Sequence, residues 1–259
     1  MTPAPGRDGD FPLWLVVVAG AGLWALGLAL ASDVHSQILA TLWKGVGITL
    51  LVTVTAFAGA SALGLALAMG SLSRVWLIRQ AVRLYIEVMR GIPIIVLLLY
   101  VAFVGVPLVV EGWNALGLPE LRTRDVPLLW RAVIALILAY ASFLAEVFRA
   151  GIQSVDPGQI EAAKALGLSR AQRFRLIVLP QAFRTILPPW GNDFVAMVKD
   201  SSLVSVLGVT DVTQLGKVAA AGNFRYFETY NMVALIYLGL TITLSLALRR
   251  LEQHLRRRS

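Results

Sequence analysis

Lys199, Asp200, Ser201 and Ser202 stand side by side in an otherwise apolar stretch, Thr185–Thr210, that also carries Asn192 and Asp193. A cation, an anion and two hydroxyls in one place can hold a zwitterion such as an amino acid: the ammonium of Lys199 faces its carboxylate, Asp200 faces its amino group, and the serines complete the bonds. Asn192 and Asp193 come about two helical turns earlier. They are placed to line the same path or to cap a helix after Pro188 and Pro189. The simpler alternative is a structural pair in which Lys199 and Asp200 neutralise each other. Glu87 with Arg90 and Glu146 with Arg149, each three residues apart, read as local ion pairs.

The element that carries the first cluster must be long, helical and shielded from lipid. The eleven Ile, Leu, Val, Phe and Met residues of Thr185–Thr210 favour membrane insertion by roughly 5 kcal/mol in total, whereas three central charges oppose it by about 2.5 to 3.5 kcal/mol each. Such a helix spans a bilayer only if its charges face protein or water inside a bundle.

The rest of the chain supplies that bundle. It is 58% hydrophobic and 15% charged, with a mean hydropathy of +0.74, too apolar for a soluble domain of this length. The uncharged runs Phe11–Ala31, Gly45–Ser73, Gly91–Val110 and Thr229–Leu248 are each long enough to span. Ala132–Phe148, with Glu146 near its end, and the charged stretch above bring the expectation to about six transmembrane helices. The fold class is all-α, a polytopic helical membrane protein. Fifteen of the 23 basic residues cluster at Arg74–Arg90, Arg149–Arg184 and Arg249–Arg258, and with six spans all three clusters fall on one side, which the positive-inside rule makes cytoplasmic. Both termini are then cytoplasmic, and the net charge of +8 reports topology, not a nucleic-acid partner.

Cysteine is absent, which excludes disulfides and thiolate metal sites; His35 and His254 read as two solvated histidines in a loop and a tail. No metal site and no paired catalytic group emerges. The tripeptide Ala29–Ala31 resembles a signal-peptidase site, but Arg7 stands against Asp8 and Asp10, and the apolar run is longer than a signal core, so a retained span is expected. Ala56, Ala60, Gly64 and Ala68 recur every fourth residue and suit a close helix seam. Gly105–Pro127 and Val209–Glu228 read as irregular or partly helical outer segments.

One stretch is polar amid all this. In "SVDPGQIEAAKALGLSRAQRFRLIVLP", Asp156 can cap a helix begun by Pro157, with Gln159 bonding back; Gly167 can close it in the left-handed conformation. Ser169 with Gln172 then repeats the capping box, and a second short helix runs toward Pro180. The reading is helix, glycine corner, helix, on the cytoplasmic side. An amphipathic hairpin on anionic lipid is the bland alternative; two capped helices around small Ala162 and Ala163 look like a shape to be gripped by a protein.

The residues Glu161, Ala162, Ala163, Gly167, Ile177, Leu179 and Pro180 resemble the EAA loop of the permease subunits of ATP-binding-cassette importers. "YIEVMRGIPIIV" at Tyr85–Val96, "FLAEVFRAGIQSVDPGQIEAA" at Phe143–Ala163, "LPQAFRTILPPWGNDF" at Leu179–Phe194 and "KDSSLVSVLGV" at Lys199–Val209 are similar to the polar amino-acid branch, from about Leu42 to the C-terminus. Departures are the extra first span, Ala139–Phe143 where relatives often have Asn-Tyr-Gly-Ala-Tyr, and "KDSSL" for "KDTSL".

The resemblance implies a membrane-spanning subunit of a binding-protein-dependent, ATP-driven importer of polar amino acids or related compounds in a bacterial inner membrane. Residues 1–36 would be an added helix and 37–259 the permease domain, with the coupling loop at about 156–180. Glu161, Ala162, Ala163, Gly167 and Pro180 would dock on a separate ATPase subunit that binds ATP and Mg. The other partners would be an extracytoplasmic substrate-binding protein and a second permease copy, identical or related. This chain has no G-x-x-x-x-G-K-[ST] loop of its own. A stand-alone secondary carrier or channel is the alternative, and it leaves the glycine corner without a purpose.

Overall fold

The computed structural model describes residues 16–17, 20–24, 27 and 32–257, the last four as backbone alone. The first expected span, Phe11–Ala31, and the side chain of His254 lie largely or wholly outside the described residues; those of the first run that are described are helical.

Helices make up the described fold, with no strand among the described residues. Helix α1 (Asp33–Ser71) has 39 residues, about 58 Å of rise, nearly twice the hydrocarbon thickness. Helix α2 (Trp76–Gly91) ends where Pro93 withholds its N–H, and a new rod begins: α3 (Ile94–Tyr100), a π-turn (Val101–Gly105) and α4 (Val106–Ala115). After a loop containing a 3-10 turn (Thr123–Asp125), α5 (Leu128–Gln153) runs back. The polar corner follows as α6 (Pro157–Ala165) and α7 (Arg170–Arg173). A π-turn (Phe174–Val178) leads straight into α8 (Leu179–Asp200), then a 3-10 stretch (Ser201–Leu207), α9 (Val212–Asn223) and α10 (Tyr226–Arg257).

Four of these helices are long and apolar enough to cross a membrane: Asp33–Ser71, Ile94–Ala115, Leu128–Gln153 and Tyr226–Gln253. Helix α8 with its 3-10 extension occupies the place of the expected charged span, but not as one helix. The α-helix stops at Asp200, and the chain turns at Gly208, whose φ of 76° is free only to a residue without Cβ.

The alanine and glycine seam is real. Ala56, Ala60, Gly64 and Ala68 are all buried, and a Cβ on Gly64 would lie 2.9 Å from Leu144 Cβ and 3.1 Å from the Ala141 carbonyl. Close approach of α1 and α5 forms the centre of the main core, joined by Leu97, Leu98, Met197 and Val204 from the surrounding helices. A second cluster unites Ile38, Leu42, Val212 and Val233, so α1 serves both halves.

Two expectations gain detail here and one needs correcting. Val209–Glu228 is mostly regular helix: Asp211 caps α9 by accepting from the Gln214 N–H at 2.8 Å, and Gly216 answers a packing demand, since its Cβ would meet Val233 at 2.7 Å. Arg74–Arg90, which the sequence marks only as a basic cluster, lies on α2, which buries Val82 and Ile86 against Ala145 and sends the Tyr85 hydroxyl to the Leu138 carbonyl at 2.9 Å. His35 is not a solvated loop residue: α1 starts before it, the ring is half-buried, and its Nδ1 has no partner among the described residues.

Candidate functional site

The corner is built as its residues require. Asp156 Oδ1 accepts from the Gly158 N–H at 2.7 Å, opening α6 at Pro157. At the other end Gly167 has a φ of 78°. The Leu168 N–H reaches the Ala163 carbonyl at 3.1 Å and the Gly167 N–H reaches Lys164 at 3.0 Å, the paired bonds that satisfy a helix's last carbonyls. Ser169 and Gln172 then form a reciprocal capping box.

Two details differ from the sequence reading. Gln159 does not bond back to its cap; its Oε1 accepts instead from Gln181 Nε2 at 2.6 Å, tying α6 to the foot of α8. Nor does a short second helix stop near Pro180. The rod continues from Arg170 to Asp200, and the π-turn Phe174–Val178 widens it just before the proline that lacks an N–H for the preceding turn.

Glu161, Ala162, Lys164 and Gly167 are exposed and Leu166 is 81% exposed, while Ala163 is buried. Beneath this knob Val155, Val178 and Ala182 pack with Ile152, Ile160, Ile177 and Ile186, and a Cβ on Gly151 would strike Ile186 at 2.2 Å. The knob is therefore seated on the adjoining ends of α5 and α8. Nearby, Glu146 and Arg149 form the expected ion pair. Glu87 and Arg90 do not pair among the described residues; the Arg90 guanidinium lies over the Phe143 ring, 5.7 Å from its centroid.

The second candidate site lies further along α8. The rings of Trp190, tilted, and Phe194, edge-on, each lie 4.9 Å from that of Phe57 on α1, and Trp190 Nε1 donates to Ser61 Oγ at 3.0 Å. The helix passes through Pro188 and Pro189 without a break, so Asn192 and Asp193 are mid-helix residues and cap nothing. Asn192 and Lys199 are exposed, and Asp193, Asp200 and Ser202 are half-buried. Ser201 is fully buried and its hydroxyl donates to the Val198 carbonyl at 2.7 Å, which leaves none for the open face.

Lys199 and Asp200 do not neutralise each other. Asp200 Oδ2 instead accepts from the Tyr140 hydroxyl at 2.7 Å, and Tyr140 meets Phe143 edge-on at 6.0 Å. Tyr140 is the residue the sequence reading missed. Its phenol lies on the buried face of α5, which the sequence alone does not reveal. The arrangement presents a free ammonium and an amide on one face, with a phenol-anchored carboxylate beside them.

A family model described as "Binding-protein-dependent transport system inner membrane component" matches residues 60–258. The chain is 38% identical over 208 residues to the probable amino-acid permease protein YxeN of Bacillus subtilis (strain 168), covering 80% of this chain and 87% of that one. It is 36% identical over 181 residues to the glutamine transport system permease protein GlnP of Escherichia coli (strain K12), covering 70% and 77%. Among solved structures, a chain from the crystal structure of an amino acid ABC transporter with histidines superposes with a TM-score of 0.71 at 35% identity, covering 83% of this chain and 94% of that one.

Proposed function

Because the chain belongs to the binding-protein-dependent transport system inner membrane components, we propose that its exposed glycine corner receives the stroke of an ATPase partner and that the open face of α8 carries the substrate. The protein is a multi-span inner-membrane permease subunit of an amino-acid ABC importer. It is a translocation component, and ATP hydrolysis belongs to a separate subunit, which would bind the ATP and Mg.

The observation that carries the coupling role is the corner's construction. Capped at both ends and seated on α5 and α8, it has no soft joint to absorb a push, so displacement of Glu161, Ala162, Ala163 and Gly167 passes into the membrane helices as a rigid-body movement. Pro180, at the start of α8, belongs to the same lever. In this reading the corner and both termini are cytoplasmic, the loop before α5 faces the substrate-binding protein, residues 1–36 add a helix to the permease domain 37–259, and two permease copies, identical or related, enclose the pathway.

For the substrate, Lys199 and Asn192 engage the carboxylate, while Asp200, Asp193 and Ser202 engage the amino group and its surroundings. Ser201 holds the backbone at the helix end. These groups address what amino acids share, which accounts for the class of cargo without naming the side chain. The test is transport by the complex of this chain with its ATPase and binding protein in liposomes. Lys199→Ala and Asp200→Ala should each abolish substrate-stimulated ATP hydrolysis while the complex still assembles; undiminished uptake in both variants would remove the assignment.

A further inference from the structure

Arg131 lies in the first turn of α5, at the end opposite the corner, and is 8% exposed. Neither ion pair among the described residues includes it. Its nitrogens go to backbone carbonyls: Nε donates to Val126 at 2.8 Å, Nη1 to Ala102 at 2.9 Å, and Nη2 to Thr123. Burying a guanidinium without a carboxylate carries a desolvation cost that an apolar side chain of similar size would avoid. What the guanidinium provides instead is a planar fork that reaches carbonyls on two separate elements at once. Two of them belong to the turn just before α5. The third, Ala102, sits in the π-turn that interrupts the α3–α4 rod.

Leu121 and Val126 of the loop pack against the main core, but its other side-chain hydrogen bonds are local. Asn114 exchanges two bonds with the Leu121 backbone, Trp113 donates to the Pro119 carbonyl, and Asp125 accepts from the Arg122 N–H. These fix the loop to itself and to α4. Arg131 supplies the side-chain bonds that join the turn to α5 and, through Ala102, to the π-turn.

We propose that Arg131 is a positioning residue for transport: a latch that locks the turn Thr123–Val126 and the π-turn Val101–Gly105 onto α5, so that this end of the bundle moves as one body when the corner is driven. The proposal rests on the permease reading for its effect on transport, but the latch itself does not. Lysine has one nitrogen where the fork has three, so Arg131→Lys keeps the charge and loses the span.

Arg122 and Arg124, both exposed, lie in the latched loop, and Arg74, also exposed, lies in the loop between α1 and α2 at the opposite end of the bundle, which gives an internal control. In the purified complex with the ATPase, Arg131→Gln should speed tryptic cleavage after Arg122 and Arg124 by roughly tenfold or more, as expected when a local opening loses its charged bonds. Cleavage after Arg74 should not change, and substrate moved per ATP hydrolysed should fall. Arg131→Lys should give the same pattern more weakly and serves if the glutamine variant does not assemble. Unchanged cleavage in the loop, equal acceleration at both ends, or selective cleavage with transport per ATP intact would each overturn the proposal. If the unsubstituted complex itself does not transport, the permease reading fails, and the cleavage comparison still judges the latch.

Discussion

Lys199 and Asp200 are neighbours in sequence but leave α8 about 100° apart, and that rotation separates their roles. Asp200 turns toward α5 and takes the Tyr140 hydroxyl, whereas Lys199 turns to the open face. A hydrogen bond to a charged group contributes about 1.5 to 3 kcal/mol. Tyr140→Phe should therefore lower the thermal stability of the assembled complex modestly and raise the substrate concentration needed for half-maximal uptake, with the maximal rate less affected. Lys199→Met keeps much of the length but removes the charge; uptake in proteoliposomes should drop at least about tenfold if one desolvated carboxylate contact is lost. The polar residues were legible in the sequence because charge in an apolar run is conspicuous. Tyr140 was not, since its significance depends on which face of α5 it occupies.

At the scale of elements, glycines decide more than polar residues do. Gly167 holds a left-handed conformation that costs an ordinary L-residue about 1 to 2 kcal/mol. Gly167→Val should weaken co-purification of the ATPase and uncouple hydrolysis from uptake, while Gly167→Asn, which tolerates that conformation better, should keep most of both. Gly45 makes a different demand. A Cβ there would lie 2.6 Å from the Asp211 carbonyl carbon and the Val212 nitrogen, backbone that cannot step aside, so Gly45→Val should sharply reduce the yield of folded protein in detergent. The corner's caps could be read from local signals at Asp156, Gly167 and Ser169. The merger of α7 with α8 could not, because Pro180 reads as a stop unless the π-turn that accommodates it is visible. Likewise α9 reads as loop from its glycines until Gly216 is seen beneath Val233.

Across the whole molecule, hydropathy and the placement of arginines were enough to anticipate an all-helical membrane protein, and four helices among the described residues meet the length and composition of spans. What they leave hidden is the packing order, in which α1 bridges both core clusters and α5 links the latch at one end to the knob at the other. That through-connection gives the account its central claim: the corner drives the bundle. The most direct test places a spin label at Leu166, on the exposed knob, or at Leu116, in the loop beyond α4, and measures at each position the distance between the two permease copies proposed above, in the complex with the ATPase and binding protein. Trapping the ATPase in its ATP-bound state should shift the label distances between permease copies at both positions together, and Gly167→Val should abolish both shifts. Movement at Leu116 that persists when Leu166 is still would contradict the account.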